Sequence, residues 1–118
     1  MTILLAGVRP SALQAPSLID GHWEAVITAE PEGLRRLLDL KADGTSVTGT
    51  LTTGFFAGTN LHVLQTAKVT GSFANGSLEA QTDQDYFLGR LKEGVLSGTY
   101  VYSPKGVGIY KTGWTAKR

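Results

Sequence analysis

Apolar and polar residues alternate with period two along most of the chain from Gly21 onward, and glycine-rich turns separate the alternating runs. Successive side chains of a strand point to opposite faces, so such runs mark strands with one face buried. In Gly21–Thr28, Trp23, Ala25 and Ile27 alternate with His22, Glu24 and Thr28, and only Val26 interrupts the polar face. Val47, Gly49 and Leu51 alternate with Ser46, Thr48 and Thr50. The second half of Leu61–Phe73 sets Ala67, Val69, Gly71 and Phe73 against Lys68, Thr70 and Ser72. Leu78 and Ala80 alternate with Ser77, Glu79 and Gln81. Phe87, Gly89 and Leu91 share one face of Tyr86–Leu91, and Leu96, Gly98, Tyr100 and Tyr102 share one face of Val95–Tyr102. A last strand is expected over Val107–Thr115.

The segment Pro31–Lys41 admits two periods. Leu34, Leu37, Leu38 and Lys41 stand at helical spacing, with Pro31 suited to a first turn and Asp43-Gly44 to a stop. As a strand, Leu34, Leu38 and Leu40 share a face with Arg36, and Ala42-Asp43-Gly44-Thr45 becomes a hairpin turn. The strand is preferred because it joins directly to the next one. Asn75-Gly76 is the strongest hairpin signal in the chain; Lys92-Glu93-Gly94 and Ser103-Pro104-Lys105-Gly106 supply further turns. Thr52–Asn60, flanked by Gly54 and Gly58 and carrying Phe55 and Phe56, reads as a loop that could fold over an opening.

Sequential hairpins of this kind predict an all-β, eight-stranded antiparallel up-and-down barrel, calycin-like in build, because closure removes exposed strand edges. Residues 1–19 stand apart as an extended N-terminal arm: Pro10 and Pro16 hold the residues before them extended, and no period persists. The barrel domain is expected over residues 20–118.

Two stretches echo each other. Gly44-Thr45-Ser46-Val47-Thr48-Gly49-Thr50-Leu51 and Gly94-Val95-Leu96-Ser97-Gly98-Thr99-Tyr100 both run turn glycine, apolar, hydroxyl, glycine, threonine, apolar. An inward glycine admits close approach where a small barrel is strongly coiled. Together with Gly21-His22-Trp23 at the first strand and Ile109–Trp114 at the last, these motifs resemble avidin-like barrels of the calycin type, in the same order. A similar pattern occurs in small barrel domains found beside α/β-hydrolases. The resemblance spans about residues 21–115 and implies an eight-stranded barrel with a cavity open at one end. It does not carry biotin binding: Glu24 and Ala25 stand where the family places ureido contacts, and Leu51 replaces a strand-closing tyrosine. Most of the family's tryptophan box has no counterpart, since the chain has only Trp23 and Trp114, and Thr53 could stand in for one family hydroxyl.

Composition narrows the classes. With 118 residues there is room for one core, and 42% hydrophobic content excludes wholesale disorder. A net charge of +1 leaves no footprint for nucleic acid or an anionic membrane, and Lys111, Lys117 and Arg118 read as a frayed basic tail. No cysteine is present, which excludes thiol chemistry and fits a reducing cytoplasm, the expected location. Thr2–Val8 is apolar but too short for a span and lacks the basic start of a signal peptide.

Catalytic constellations are sparse. His22 and His62 are the two histidines, and they are separated by most of a sheet. No metal-spaced pair, nucleophile elbow or phosphate-cradling loop occurs, so no metal or cofactor is expected. Tyr100 and Tyr102, with Phe87 and Trp23, would line the barrel interior with apolar area and directed hydroxyls. They would equally serve as plain core, since eight strands enclose just enough room for side chains. Arg36, facing inward, would need a carboxylate or an anionic ligand unless it sits at the mouth and snorkels. Trp23, Arg36, Phe55, Phe56, Phe87, Tyr100 and Tyr102 are therefore the candidate ligand contacts. The expected function is binding of a small, largely apolar organic molecule in the lumen. The alternatives are a cofactor-free cyclase or isomerase that positions a polyketide-like substrate, and a non-catalytic accessory module with a packed core. A homodimer is also expected, because Trp114 and Tyr110 share one face of the last strand, and two large aromatics on an outward strand face form a patch that proteins bury.

Overall fold

In the computed structural model the chain is described over residues 18–31, 33–104 and 110–118. It forms β1 (Gly21–Ile27), β2 (Leu34–Asp43), β3 (Ser46–Ala57), β4 (Asn60–Ala74), β5 (Ser77–Gln81), β6 (Asp85–Lys92), β7 (Val95–Tyr102) and β8 (Tyr110–Lys117). All eight pair antiparallel with their neighbours in sequence, and β8 pairs with β1 to close the barrel. This is the meander that the alternation predicts, with a strand rather than a helix within Pro31–Lys41; that strand runs on through Ala42 and Asp43, which the sequence places in the turn. No helix among the described residues is long and apolar enough to cross a membrane. Expectations that fall on residues 1–17 and 105–109, including most of the arm and Val107 to Ile109, lie outside the described residues.

The inward faces carry the core. Trp23, Ala25 and Ile27 of β1 meet Leu38 and Leu40 of β2, Val47 and Leu51 of β3, and Val69 of β4. Leu78, Ala80, Phe87, Leu96, Tyr100, Trp114 and Ala116 complete the ring. Burying a large side chain of this kind contributes about 1.5–3 kcal/mol each. Phe87 packs against Tyr100 with ring centroids 5.0 Å apart, and stands edge-on to Trp114 at 5.1 Å.

Three expectations are corrected. Trp114 is only 2% exposed: it pairs with Gly98, whose face is the inward one, and its indole N–H donates to the Leu88 carbonyl at 3.1 Å. The exposed aromatic face proposed for the last strand is therefore not there, and self-association loses that argument. Thr52–Asn60 is not a loop but the tip of a β-hairpin, in which β3 runs on to Ala57 and turns at Gly58. Cross-strand pairing satisfies the backbone that a loop would leave to solvent. The basic C-terminus is not frayed either. Lys117 lies in β8, and Arg118 stacks its guanidinium 4.2 Å from the Trp23 ring centroid while donating to the carbonyls of Leu18 and Asp20. Ile19, fully buried, accepts a hydrogen bond from the Trp23 indole at 2.9 Å. One end of the barrel is thus closed by the residues entering β1 and by the last side chain of the chain.

The two echoing glycines have a steric reason. A Cβ at Gly49 would run into the Asp39 carbonyl, and one at Gly98 into the Leu88 carbonyl, so neighbouring strands approach too closely there for a side chain. Gly33, by contrast, faces open space. Gly98→Ala is expected to lower the unfolding free energy by about 2 kcal/mol or more, and Gly33→Ala to change it by less than about 0.5 kcal/mol, measured by urea denaturation.

Candidate functional site

The other end of the barrel is not filled with hydrocarbon. Alternation along β2 turns Arg36 inward two residues before Leu38, and along β7 it turns Tyr100 inward. Asp85, the first residue of β6, is buried although it follows a turn. Thr82 shapes that turn: its hydroxyl accepts the Asp85 N–H at 3.0 Å and donates to Asp85 Oδ2 at 2.7 Å. Such a side-chain turn fixes both the backbone and the carboxylate it holds. Glu30 comes from the β1–β2 connection, which folds back through a hydrogen bond from its N–H to the Ile27 carbonyl at 3.0 Å.

These four side chains meet across the lumen. Arg36 donates to both oxygens of Glu30, Nε to Oε1 at 3.1 Å and Nη2 to Oε2 at 2.5 Å, a fork that matches the carboxylate plane. Its Nη1 reaches Asp85 Oδ1 at 3.5 Å, and the Tyr100 hydroxyl donates to the same oxygen. The guanidinium also lies 5.7 Å from the Tyr100 ring centroid. The side chains of Arg36, Glu30 and Asp85 are 11%, 17% and 5% exposed, so the cluster is desolvated. Arg36 therefore does not snorkel. An inward arginine needs a carboxylate or an anion, and this one has two carboxylates.

Protonation follows from this packing. Burial alone would lower the Arg36 pKa, but the hydrogen bond and charge of Glu30, with Tyr100 and Asp85, outweigh it and the net shift is upward. Burial pushes the Tyr100 phenol well above its ordinary 10.0, and the hydrogen bond to Asp85 pushes it the same way. Tyr100 is thus a neutral donor at any physiological pH.

Above the network lies a cavity of about 170 Å³. Glu30, Arg36, Asp85 and Tyr100 form one side of it. Leu51, Thr53, Gln65 and Ala67 of β3 and β4 form another, and Gln84, Tyr102 and Tyr110 the rest. Tyr102 and Tyr110 are direct cross-strand partners. Of the candidate contacts named from sequence, Arg36, Tyr100 and Tyr102 border this cavity. Trp23 and Phe87 belong to the packed core below. Phe55 and Phe56 stand beyond the rim, 40% and 47% exposed. Phe55 stacks on His62 with ring centroids 5.3 Å apart, and Phe56 lies under Arg35 at 5.5 Å. Arg35 also pairs with Glu24 at 3.1 Å, so the two adjacent arginines serve opposite faces of β2.

Thr53, singled out from sequence as a possible stand-in for a family hydroxyl, does line the cavity, whereas sequence reasoning missed Glu30, Asp85, Gln65, Gln84 and Tyr110 as cavity residues. Asp85 does carry a sequence signal: it stands two residues before inward Phe87, so the same alternation points it inward. Neither a protein-family model nor a curated protein sequence matches this chain, so the functional reading rests on the geometry.

Two outcomes follow. Arg36→Met should destabilise the fold by about 3–5 kcal/mol in denaturant titrations, because it leaves buried carboxylates without their cation. Because the folded state holds the Tyr100 proton where the unfolded chain releases it, stability should fall as pH rises above 10.0. Tyr100→Phe should make that alkaline slope shallower, as read from unfolding free energies between neutral and alkaline pH.

Proposed function

We propose that the protein binds a small organic molecule in the open end of the barrel, as calycin-type barrels do, with avidin-like architecture but a different set of contacts. The observation that carries this reading is the cavity itself. It sits on a rigid, desolvated polar floor, with Leu51 and Ala67 offering apolar wall and Tyr102 and Tyr110 offering rings and hydroxyls. A few directed polar groups in a concave, partly apolar site are the usual composition of a small-molecule pocket. The packed-core accessory module is less favoured, because the core fills only the end of the barrel below Tyr100 and Arg36.

The same observations favour a binder over a cyclase. Catalysis by positioning needs donors aimed at charge that develops on the substrate. Tyr100 already donates to Asp85, and Arg36 already grips Glu30, so the strongest donors of the site are engaged. The hydroxyls of Thr53, Tyr102 and Tyr110 and the amides of Gln65 and Gln84 supply the remaining polar contacts.

The β3–β4 hairpin forms an awning over this opening. Period two carries Phe55 onto the same face as the cavity-lining Thr53 and Leu51, and puts Phe56 on the other. Native mass spectrometry of freshly purified protein should detect a retained small molecule. Ala67→Phe, which fills the cavity from its β4 wall, should abolish retention while leaving the thermal midpoint nearly unchanged. Phe55→Ala should weaken capture several-fold and Phe56→Ala should not. Retention undiminished in Ala67→Phe would place the ligand elsewhere.

A further inference from the structure

The site's charge and size together specify more than a small molecule. We infer that the part of the ligand seated in the cavity is a single ring or a fragment of that size, and that it carries a positive charge as an organic ammonium. This rests on the lumen-binding reading above.

Size comes first. A cavity of about 150 Å³ holds one benzene molecule, and drug-sized ligands occupy about 300 Å³ or more. At about 170 Å³, this cavity takes one ring or its aliphatic equivalent. Anything longer extends past the rim toward Phe55.

Charge comes next. Glu30 and Asp85 face a single cation, Arg36, and no other lysine, arginine or histidine is among the described residues that line the cavity. The desolvated cluster therefore holds one more negative charge than positive. Tyr100 and Thr82 donate hydrogen bonds to Asp85, but they are neutral dipoles and leave its charge in place. An anionic ligand would meet a guanidinium already faced by two carboxylates, with three of its five N–H donors, on Nε, Nη2 and Nη1, directed at Glu30 and Asp85. An anion would add a second uncompensated charge in a low-dielectric site. A cation would bring the charge count to zero. Tyr102 and Tyr110, cross-strand partners that both line the cavity, bring aromatic rings of the kind that attract a cation.

Three probes of nearly equal shape test this: benzylamine, protonated at pH 7, benzyl alcohol and benzoate. Binding to the intact protein is followed by NMR shifts of Thr53, Gln65 and Tyr110, in low salt. Benzylamine should bind at least tenfold more tightly than benzyl alcohol, with benzoate weakest, and added salt should erode the preference. Asp85→Asn should bring the amine-to-alcohol ratio close to one. Glu30→Gln removes the same unit of charge at the edge of the cluster and replaces that variant if it fails to fold. Alcohol binding as tight as the amine, or benzoate binding best, would overturn the charge assignment and leave lumen binding standing. No shift at those residues with any of the three probes would overturn lumen binding, and the charge assignment with it.

Discussion

The buried ion pair between Arg36 and Glu30, extended to Asp85 and Tyr100, divides this barrel into two unlike halves. A charge inside a protein is tolerated only with partners that replace the water it has lost. Here those partners come from β2, the β1–β2 connection, the start of β6 and the middle of β7. The cluster therefore ties together walls that are far apart in sequence and cannot be buried under leucines. Hydrocarbon packing stops where the guanidinium begins. What lies above it is left partly empty because its floor must stay polar and fixed.

Below that level the eight strands enclose just the width that side chains can fill. Trp23, Trp114, Tyr100 and Phe87 are the largest fully buried side chains there, and glycines on facing strands make room for them. A Cβ at Gly89 would meet the Trp114 ring. Among the described residues, Ile19 and Arg118 cover Trp23 at the far end, away from the cavity. A rigid floor matters for the proposed binding, because a side chain already locked by its neighbours loses little freedom when a ligand arrives.

Alternation made most of the fold legible before any coordinates: the strand count, a strand rather than a helix within Pro31–Lys41, and the inward faces of Trp23, Val47, Leu96 and Tyr100 all follow from period two. It failed where period two is interrupted. Val63 and Leu64 are adjacent apolar residues because β4 slips register opposite Thr53 and Gly54, and this bulge hid the inward place of Gln65. Gly54 and Gly58 suggested a loop, although only Gly58, with φ +66°, makes the turn. The direction of Trp114 could not be read within its own strand, since small residues occupy both faces around it; pairing with Gly98 decides it. The partners of Arg36 were out of reach for another reason. Glu30 lies in a connection without periodicity, and Asp85 is 49 residues away, brought near only by barrel closure.

Strand lengths set how a ligand would reach the cavity. β4 spans 15 residues and β5 only 5, and their pairing begins at Thr70. Among the described residues, Asn60–Val69 has a strand partner on the β3 side alone. The cavity wall made by Gln65 and Ala67 is therefore the flank of an overhanging hairpin rather than part of a complete ring, and the opening extends down one side of the mouth. A loop over this opening could be ordered by the ligand. A paired hairpin is already ordered, and its cross-strand hydrogen bonds resist bending except where the ladder is broken. That break is the bulge at Thr53 and Gly54, level with the cavity. Any motion that admits a ligand would then swing Phe55 and His62 together as one rigid unit about that point. The hairpin is already paired, so under the proposed binding, entry would turn on its angle rather than on the folding of its tip.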